Sequence, residues 1–389
     1  MRSESSAEPT HPHQPVRVAF CGGGSGGHLT PALAIAEELC QRDHQTQVRC
    51  FVSARQVDQR VLTAAAHSVS PEQIVAQPLT RSSPRGRFAV RLVQSFFLCR
   101  RHFRRDGPDV VVGTGGFASL PGVLAAWWLG IPVVLLELNR LPGRATRRLA
   151  RFCQILLTGW PLSAAALQTL PCPIRQVGVP LSASFPAALC AAKKSNAARV
   201  SALRLLIVGG SQGARRLNEL AQDMLRQWDV DIPLHVVHQT GVDDRHSHST
   251  QTDPGLTDRI SLTTTGFLTD MPTELAAADL VICRCGAVTL AELAAAGKAT
   301  ILVPMSAAAD EHQRHNAEYL LQHRAAVLID ERAPDAADAL SDAVQRLLTS
   351  DSARGELSDN LRRLAAPSAA RHAADAILEL VHSERRGTR

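Results

Sequence analysis

Residues Val16 to Leu39 constrain this chain more than any other stretch. Val16-Arg17-Val18-Ala19-Phe20-Cys21 reads as a short buried strand. Six residues follow, Gly22 to Gly27, of which only Ser25 carries a Cβ, and Thr30-Pro31 stands where a helix N-cap and first helical residue belong. Ala32, Leu33, Ile35, Ala36 and Leu39 supply the helical period. A strand that runs through glycines into a helix leaves free N–H groups and the positive end of a helix dipole aimed at one point, which is an anion site. His28 is the titratable side chain of that turn.

Short apolar runs alternate with helical periods from residue 16 onward, as in a parallel α/β sheet. Strands are expected at 47–53, 109–113, 132–136, 154–157 and 174–177, with a helix at 120–129 stopped by Gly130. The second half starts as the first did: a strand over 203–208, the turn Gly209-Gly210-Ser211-Gln212-Gly213, and a helix from Ala214 to Trp228. Strands at 234–239, 279–283 and 299–304 and a helix at 288–296 follow, so the halves read as two copies of one architecture. The expected division is a disordered polar leader at 1–15, a first α/β domain at 16–182, a polar linker at 183–202, and a second at 203–365. A helix and tail at 366–389 would pack back on the first.

Composition narrows the partners. The net charge of +6 suits an anionic substrate or membrane surface. Nucleic acid is disfavoured, because no stretch interleaves aromatic and basic residues as a stacking platform would. Nine scattered cysteines without CxxC spacing fit a reducing compartment, with neither a disulfide framework nor a metal site. No window of 18 apolar residues reads as a membrane span. Arg81 to Arg105 holds eight arginines and no acid, interleaved with Phe88, Val90, Val93, Phe96 and Phe97. Such a basic amphipathic helix, with Arg100, Arg101, Arg104 and Arg105 at its end, suits anionic headgroups, or is a solvated helix with one core face.

Gly22, Gly24 and Gly27 match the dinucleotide fingerprint, but the second strand ends Phe51-Val52-Ser53 and the first acid is Asp58, where a ribose-binding acid belongs at the strand end. Four glycine turns, at 22–27, 113–116, 209–213 and 286, instead suggest one diphosphate held by backbone amides at the carboxyl ends of two sheets. No Asp-x-Asp pair is present to chelate a metal there. Glu292, one turn after Thr289, can take both hydroxyls of a ribose; Gln313 and Asn316 can read sugar hydroxyls. His28 and Glu137, the latter at a strand end, are the acid–base candidates.

GGGSGGHLTPALAIAEEL, DVVVGTGGFASLPGVLAAWWLGIPVV, LLIVGGSQGARRLNEL and CRCGAVTLAELAAAGKATILVP, followed by DEHQRHNA, resemble in order the signatures of the MurG family of N-acetylglucosaminyltransferases, in glycosyltransferase family 28. The resemblance spans roughly residues 16 to 380. It implies the GT-B fold, two Rossmann-like domains with parallel sheets facing across a cleft. It implies transfer of GlcNAc from UDP-GlcNAc to the C4 hydroxyl of undecaprenyl-diphosphate-MurNAc-pentapeptide (lipid I), with inversion, giving lipid II at the cytoplasmic face of the inner membrane without a cofactor. Donor contacts carried over are Ser25, Gly26, Gly27, Asn139, the Ser182 position, Ser211, Leu268, Ala287, Val288, Thr289, Leu290, Ala291, Glu292 and Gln313. In that frame Glu292 holds the ribose, Gln313 the sugar hydroxyls and Phe267-Leu268 the uracil, while His28 acts near the acceptor and the arginine-rich helix docks on the membrane.

The chain departs from the family pattern at Leu136 and Leu138, where polar residues are usual, at Val179, at Cys285, and at Ser182, which stands where an arginine contacts the donor diphosphate. Loss of one such contact costs ~10²–10³ in rate, so Arg215 or Arg284 must compensate or turnover is reduced. The alternatives are a UDP-sugar-binding protein with diminished turnover and a related transferase with another lipid acceptor.

Overall fold

The computed structural model describes residues 14–23, 26–53, 58, 62, 74–77, 85–196, 202–210, 214–241, 259–306 and 311–387. The apolar runs form two parallel sheets. The first contains β1 (Arg17–Cys21), β2 (Gln47–Ser53), β3 (Ile74–Gln77), β4 (Val110–Gly113), β5 (Val133–Glu137), β6 (Ile155–Thr158) and β7 (Ile174–Gln176), in the order β3-β2-β1-β4-β5-β6-β7. The second contains β8 (Leu203–Val208), β9 (Leu234–Gln239), β10 (Ile260–Thr265), β11 (Leu280–Cys283), β12 (Thr300–Leu302) and β13 (Val327–Leu328), in the order β10-β9-β8-β11-β12-β13. Central strands such as VVVG and LVIC are buried along their whole length, because helices cover both faces of a parallel sheet.

Thirteen α-helices lie among the described residues: α1 (Gly26–Arg42), α2 (Arg85–Asp106), α3 (Leu120–Trp128), α4 (Arg144–Leu149), α5 (Ala164–Leu167), α6 (Ser184–Asn196), α7 (Arg215–Arg226), α8 (Met271–Ala277), α9 (Ala287–Ala296), α10 (His312–Gln322), α11 (Ala336–Leu348), α12 (Asp351–Arg362) and α13 (Ala369–Gly387). Strand order reverses between β1 and β4 in one sheet and between β8 and β11 in the other, with Cys21 beside Gly113 and Val208 beside Cys283 at the carboxyl ends. Ligand crevices of open α/β sheets form at such switch points. The four glycine-rich stretches of the sequence follow β1, β4, β8 and β11.

Three expectations need correcting. Helix α1 starts at Gly26, so Thr30 is not its N-cap and Pro31 lies inside it; the carbonyl that Pro31 leaves without an amide belongs to Gly27, still within the first turn. His28 therefore sits in the helix rather than in the loop. The span expected as a polar linker, 183–202, holds α6, whose Phe185, Leu189 and Ala192 are buried at helical spacing. Strands β3, β10 and β13 add to the expected set, the first in a stretch without clear pattern, the second a threonine-rich run, the third two residues at the edge of the second sheet.

The chain crosses between the halves at residues 177–184 and returns through α12 and α13. Helix α13 packs along α1, tied by Arg42–Asp375 at 2.6 Å, Arg175–Glu379 at 2.6 Å and Arg385–Asp109 at 2.9 Å. One apolar cluster runs from Ile35 and Leu39 of α1 through Leu290 and Ala294 of α9, so the halves share a core at their junction.

Candidate active site

The first wall of the site is built where the two glycine turns of the first sheet meet. Gly22 lies so close to the Thr114 hydroxyl that any side chain would collide with it. Gly115 and Gly116 adopt φ of 90° and 68°, and the His28 ring lies against their backbone, Nδ1 being 3.1 Å from where a Gly115 Cβ would stand. The ring hydrogen-bonds the backbone of Thr114. Burial pushes its pKa below the ordinary histidine value, against the pull of Glu137, Thr114 and Asp58; His312 pushes it further down. His28 is accordingly a neutral imidazole at pH 7. Asp58, the first acid after β2, is buried against Gly23 and accepts the Ser53 hydroxyl bond.

Glu137 is different in kind. Its Oε1 accepts from the Asn139 amide N–H (3.1 Å) and Asn139 Nδ2 (3.0 Å), and its Oε2 from the Gly143 N–H (2.9 Å) and Thr146 Oγ1 (2.7 Å). Both oxygens are engaged and the residue is buried. That carboxylate shapes the 137–146 turn.

The second wall belongs to the other sheet. Gly286 caps α9 without a side-chain partner, so the first amides of that helix, at Ala287, Val288 and Thr289, point outward with the dipole behind them. Leu290 is buried beneath, whereas Ala291 and Glu292 are partly exposed. Glu292 keeps some contact with solvent, yet enough protein surrounds it that desolvation pushes its carboxyl up to about 7. Gln313, in the first turn of α10, accepts at Oε1 from the backbone N–H of Cys285 (3.3 Å) and of Met305 (3.0 Å), which ties its side chain to the turn before α9 and to the segment just past the end of β12. Leu268 is half-buried beyond the end of β10, beside an exposed Phe267.

The two walls touch. Asn316 reaches across to Asn139 and Arg140, Trp160 Nε1 donates to the Ala287 carbonyl at 3.1 Å, and His312 Nδ1 donates to the Leu141 carbonyl at 2.7 Å. His28, Glu137, Asn139, Gln313 and the α9 N-terminus are thereby gathered at one junction. Asn316, read from sequence as a sugar contact, commits its amide to these protein partners instead. Ser182 is set apart, its hydroxyl donating to Glu37 of α1 at 3.0 Å and accepting the Ser184 N–H at 3.3 Å. Among the donor residues carried over, Ser182 and Ala291 line a separate cavity of about 800 Å³ near the chain crossover, walled by Trp160, Val179, Tyr319 and Arg362. Ser25 and Ser211 lie outside the described residues. Of the two substitute cations, Arg284 is buried and pairs with Glu331 at 2.6 Å while donating to the Val303 carbonyl at 2.9 Å. Arg215 is exposed at the first residue of α7. Leu138 and Val179 are buried in the junction core.

On the outer side of the first half, Val90, Val93 and Phe97 of α2 are each more than half exposed, and Arg101, Arg104 and Arg105 continue that face; Arg100 is half-buried. Helix α3 packs on α2 and ends in the exposed pair Trp127 and Trp128, with Arg147, Arg148 and Arg151 exposed nearby on α4 and the turn after it. The sequence alone does not disclose this second patch, because a helix apolar on all sides gives no hint of which residues face outward. No helix among the described residues is long and apolar enough to cross a membrane.

Known proteins resemble this chain in sequence and in fold. Residues 18–158 match the glycosyltransferase family 28 N-terminal domain and residues 204–375 its C-terminal domain. The chain is 36% identical over 357 residues to the UDP-N-acetylglucosamine–N-acetylmuramyl-(pentapeptide) pyrophosphoryl-undecaprenol N-acetylglucosamine transferase of Xylella fastidiosa, covering 87% of this chain and 92% of that one. It is 35% identical over 370 residues to the protein of that name from Anaeromyxobacter dehalogenans, covering 94% and 93%. Among solved structures, Acinetobacter baumannii MurG superposes with a TM-score of 0.71 at 27% identity, over 94% of this chain and all of that one.

Proposed function

The chain belongs to glycosyltransferase family 28, and from that premise we propose that it transfers GlcNAc from UDP-GlcNAc to lipid I, forming lipid II in peptidoglycan synthesis with inversion at the anomeric carbon. One observation carries the reading beyond family membership: a half-buried histidine packed against the Gly115-Gly116 backbone on one half and a helix N-terminus without a side-chain cap on the other meet at one junction.

The chemistry follows from those two groups. His28 takes the proton of the acceptor C4 hydroxyl as the oxygen bonds to the anomeric carbon. The bond from that carbon to the β-phosphate oxygen breaks, and its electron pair leaves with UDP. The amides of Ala287 to Thr289 and the glycine turn with Gly26 and Gly27 stabilise the growing negative charge. Glu292 holds the ribose, Leu268 backbone the uracil, and Gln313 the sugar. Glu137, with both oxygens engaged by four donors, supports Asn139 and the electrostatics of His28 rather than taking the proton.

The exposed apolar and arginine face of α2, continued by Trp127 and Trp128, is proposed as the surface that meets anionic headgroups at the cytoplasmic face of the inner membrane, where the lipid acceptor resides. None of these protein groups requires a metal or cofactor for its role. The test is incubation of the purified protein with labelled UDP-GlcNAc and a short-chain lipid I analogue. A β-linked disaccharide product with stoichiometric UDP is expected. UDP-GlcNAc binding without product would overturn the transferase reading and leave a UDP-sugar-binding protein, the alternative that the missing charge at Ser182 favours.

A further inference from the structure

The strongest observation not absorbed by the chemistry above is Asn316, whose proposed role rests on the glycosyl-transfer reading. Its side chain is 1% exposed and makes three bonds. Nδ2 donates to Asn139 Oδ1 (3.0 Å) and to the Cys285 carbonyl (3.1 Å), while Oδ1 accepts the Arg140 N–H (3.1 Å). Both amide protons and the oxygen are thus used, two bonds reaching into the first half and one staying in the second.

Each partner leads to a site group. Asn139 Nδ2 donates to Glu137 Oε1 at 3.0 Å, and the charge of Glu137 acts on His28. Cys285 immediately precedes Gly286, the cap of α9. An unbroken line of hydrogen bonds therefore runs from the carboxylate beside His28 through Asn139 and Asn316 to the helix end proposed to take the diphosphate. The contacts flanking it, Trp160 to the Ala287 carbonyl and His312 to the Leu141 carbonyl, use single donors on backbone. Only Asn316 joins side chain to side chain across the junction among these contacts.

We propose that Asn316 is a positioning residue that sets the register of the two halves, holding His28 and the α9 N-terminus at reacting separation. A buried amide suits that task better than an apolar contact. Sliding one half past the other would leave several buried polar atoms without partners at once, which apolar surfaces do not punish. A misplacement of about 1 Å between reacting groups is enough to cost ~10²-fold in rate.

The experiment compares Asn316→Ala, Asn316→Asp and Asn139→Ala with the parent protein. It measures kcat and KM with the lipid I analogue, UDP affinity by calorimetry, melting temperature, and hydrogen exchange at the Arg140 amide. The expected result for Asn316→Ala is a kcat fall of ~10²-fold, UDP affinity within a few-fold, and faster Arg140 exchange. Asn316→Asp, which keeps the acceptor but loses both donors, should retain Arg140 protection yet lose turnover. Asn139→Ala should lose turnover too, and combining it with Asn316→Ala should add little. Turnover within a few-fold of the parent in Asn316→Ala, with Arg140 exchanging freely, would overturn the proposal. So would additive losses in the double variant. Were Asn316→Ala to unfold, Asn139→Ala decides from the other half by the same readings. If the parent itself forms no product, the transfer reading fails separately; Arg140 exchange and UDP affinity still report whether Asn316 couples the halves.

Discussion

Glu292, proposed above to hold the ribose, costs the fold stability where it stands, and the two effects can be separated by one substitution. Desolvation raises its carboxyl from the ordinary 4.5 to about 7. At roughly 1.4 kcal/mol for each pH unit between those values, the full penalty for the ionised form is about 3 kcal/mol, and the residual solvent contact makes that a ceiling. The sign follows from proton counts. Between pH 4.5 and 7 the unfolded chain has released this proton while the folded one holds it, so stability falls as pH rises through that window and is level above it.

Glu292→Gln abolishes the titration. The variant should gain on the order of 1–3 kcal/mol over the parent at pH 8 in urea unfolding, with the difference vanishing by pH 4.5. Binding should move the other way. A hydrogen bond to a charged acceptor is worth ~1.5–3 kcal/mol, so UDP-GlcNAc affinity should drop by roughly 10–100-fold at pH 8. The loss should narrow at pH 6, where the parent carboxyl is largely neutral. UDP-GlcNAc is the right ligand, because its diphosphate is esterified at both ends and does not titrate in this range. Unchanged affinity at pH 8 would remove Glu292 from the ribose site. A stability difference that does not vary with pH would refute the desolvation argument.

His28→Ala should cut kcat by ~10²–10⁴ and leave UDP-GlcNAc affinity within a few-fold. In the parent, the acid limb of kcat/KM should lie below the ordinary histidine range, since burial lowers this imidazole's pKa; a limb above 6.5 or unchanged turnover would exclude it as the base. Replacing Arg100, Arg101, Arg104 and Arg105 with Gln should weaken sedimentation with anionic vesicles by roughly 10²-fold, at about 1 kcal/mol per exposed arginine near the surface, with Arg100 contributing least because it is half-buried. Trp127→Ser with Trp128→Ser should weaken the salt-resistant part of that binding, and undiminished binding in both variants would make α2 an ordinary solvated helix.

Most strands are legible in the sequence because a strand buried on both faces must be a continuous apolar run, and VVVG, LLIV and LVIC can be little else between glycine turns. The 203–208 and 234–239 strands begin and end where the pattern does. The elements that escape have physical reasons. Strand β10, ISLTTT, is half-buried at a sheet edge and lacks the apolar run. Helix α6 carries its signal in Phe185, Leu189 and Ala192, but Lys193 and Lys194 make its end read as a linker. Thr30-Pro31 looks like a helix start because local chemistry is indifferent to whether the glycines before it are already helical. Asn316 stands in a polar stretch, where nothing local distinguishes an amide that reads a ligand from one that ties two halves together. Only the positions of Asn139 and Cys285, 177 and 31 residues away, decide it.

The same logic separates the two arginines considered for the diphosphate. In sequence Arg284 is the more attractive substitute for the charge missing at Ser182, since it adjoins the turn before Gly286. Its guanidinium is instead engaged by Glu331 and the Val303 carbonyl, and Glu331 also accepts both donors of Ser306 at 2.6 Å, so drawing Arg284 toward a ligand would strand a buried carboxylate. Among the described residues nothing constrains Arg215 in this way: it is exposed at the N-terminus of α7, soon after the third glycine-rich stretch. Arg215→Ala should therefore cost ~10²–10³ in kcat/KM if it has taken over the electrostatic work on the leaving group. Arg284→Met should instead lower stability by about 3–5 kcal/mol by leaving Glu331 unpaired. A kcat/KM unchanged by Arg215→Ala would mean that backbone amides and helix dipoles carry the departing UDP alone, and a slow enzyme is then the expected consequence of Ser182.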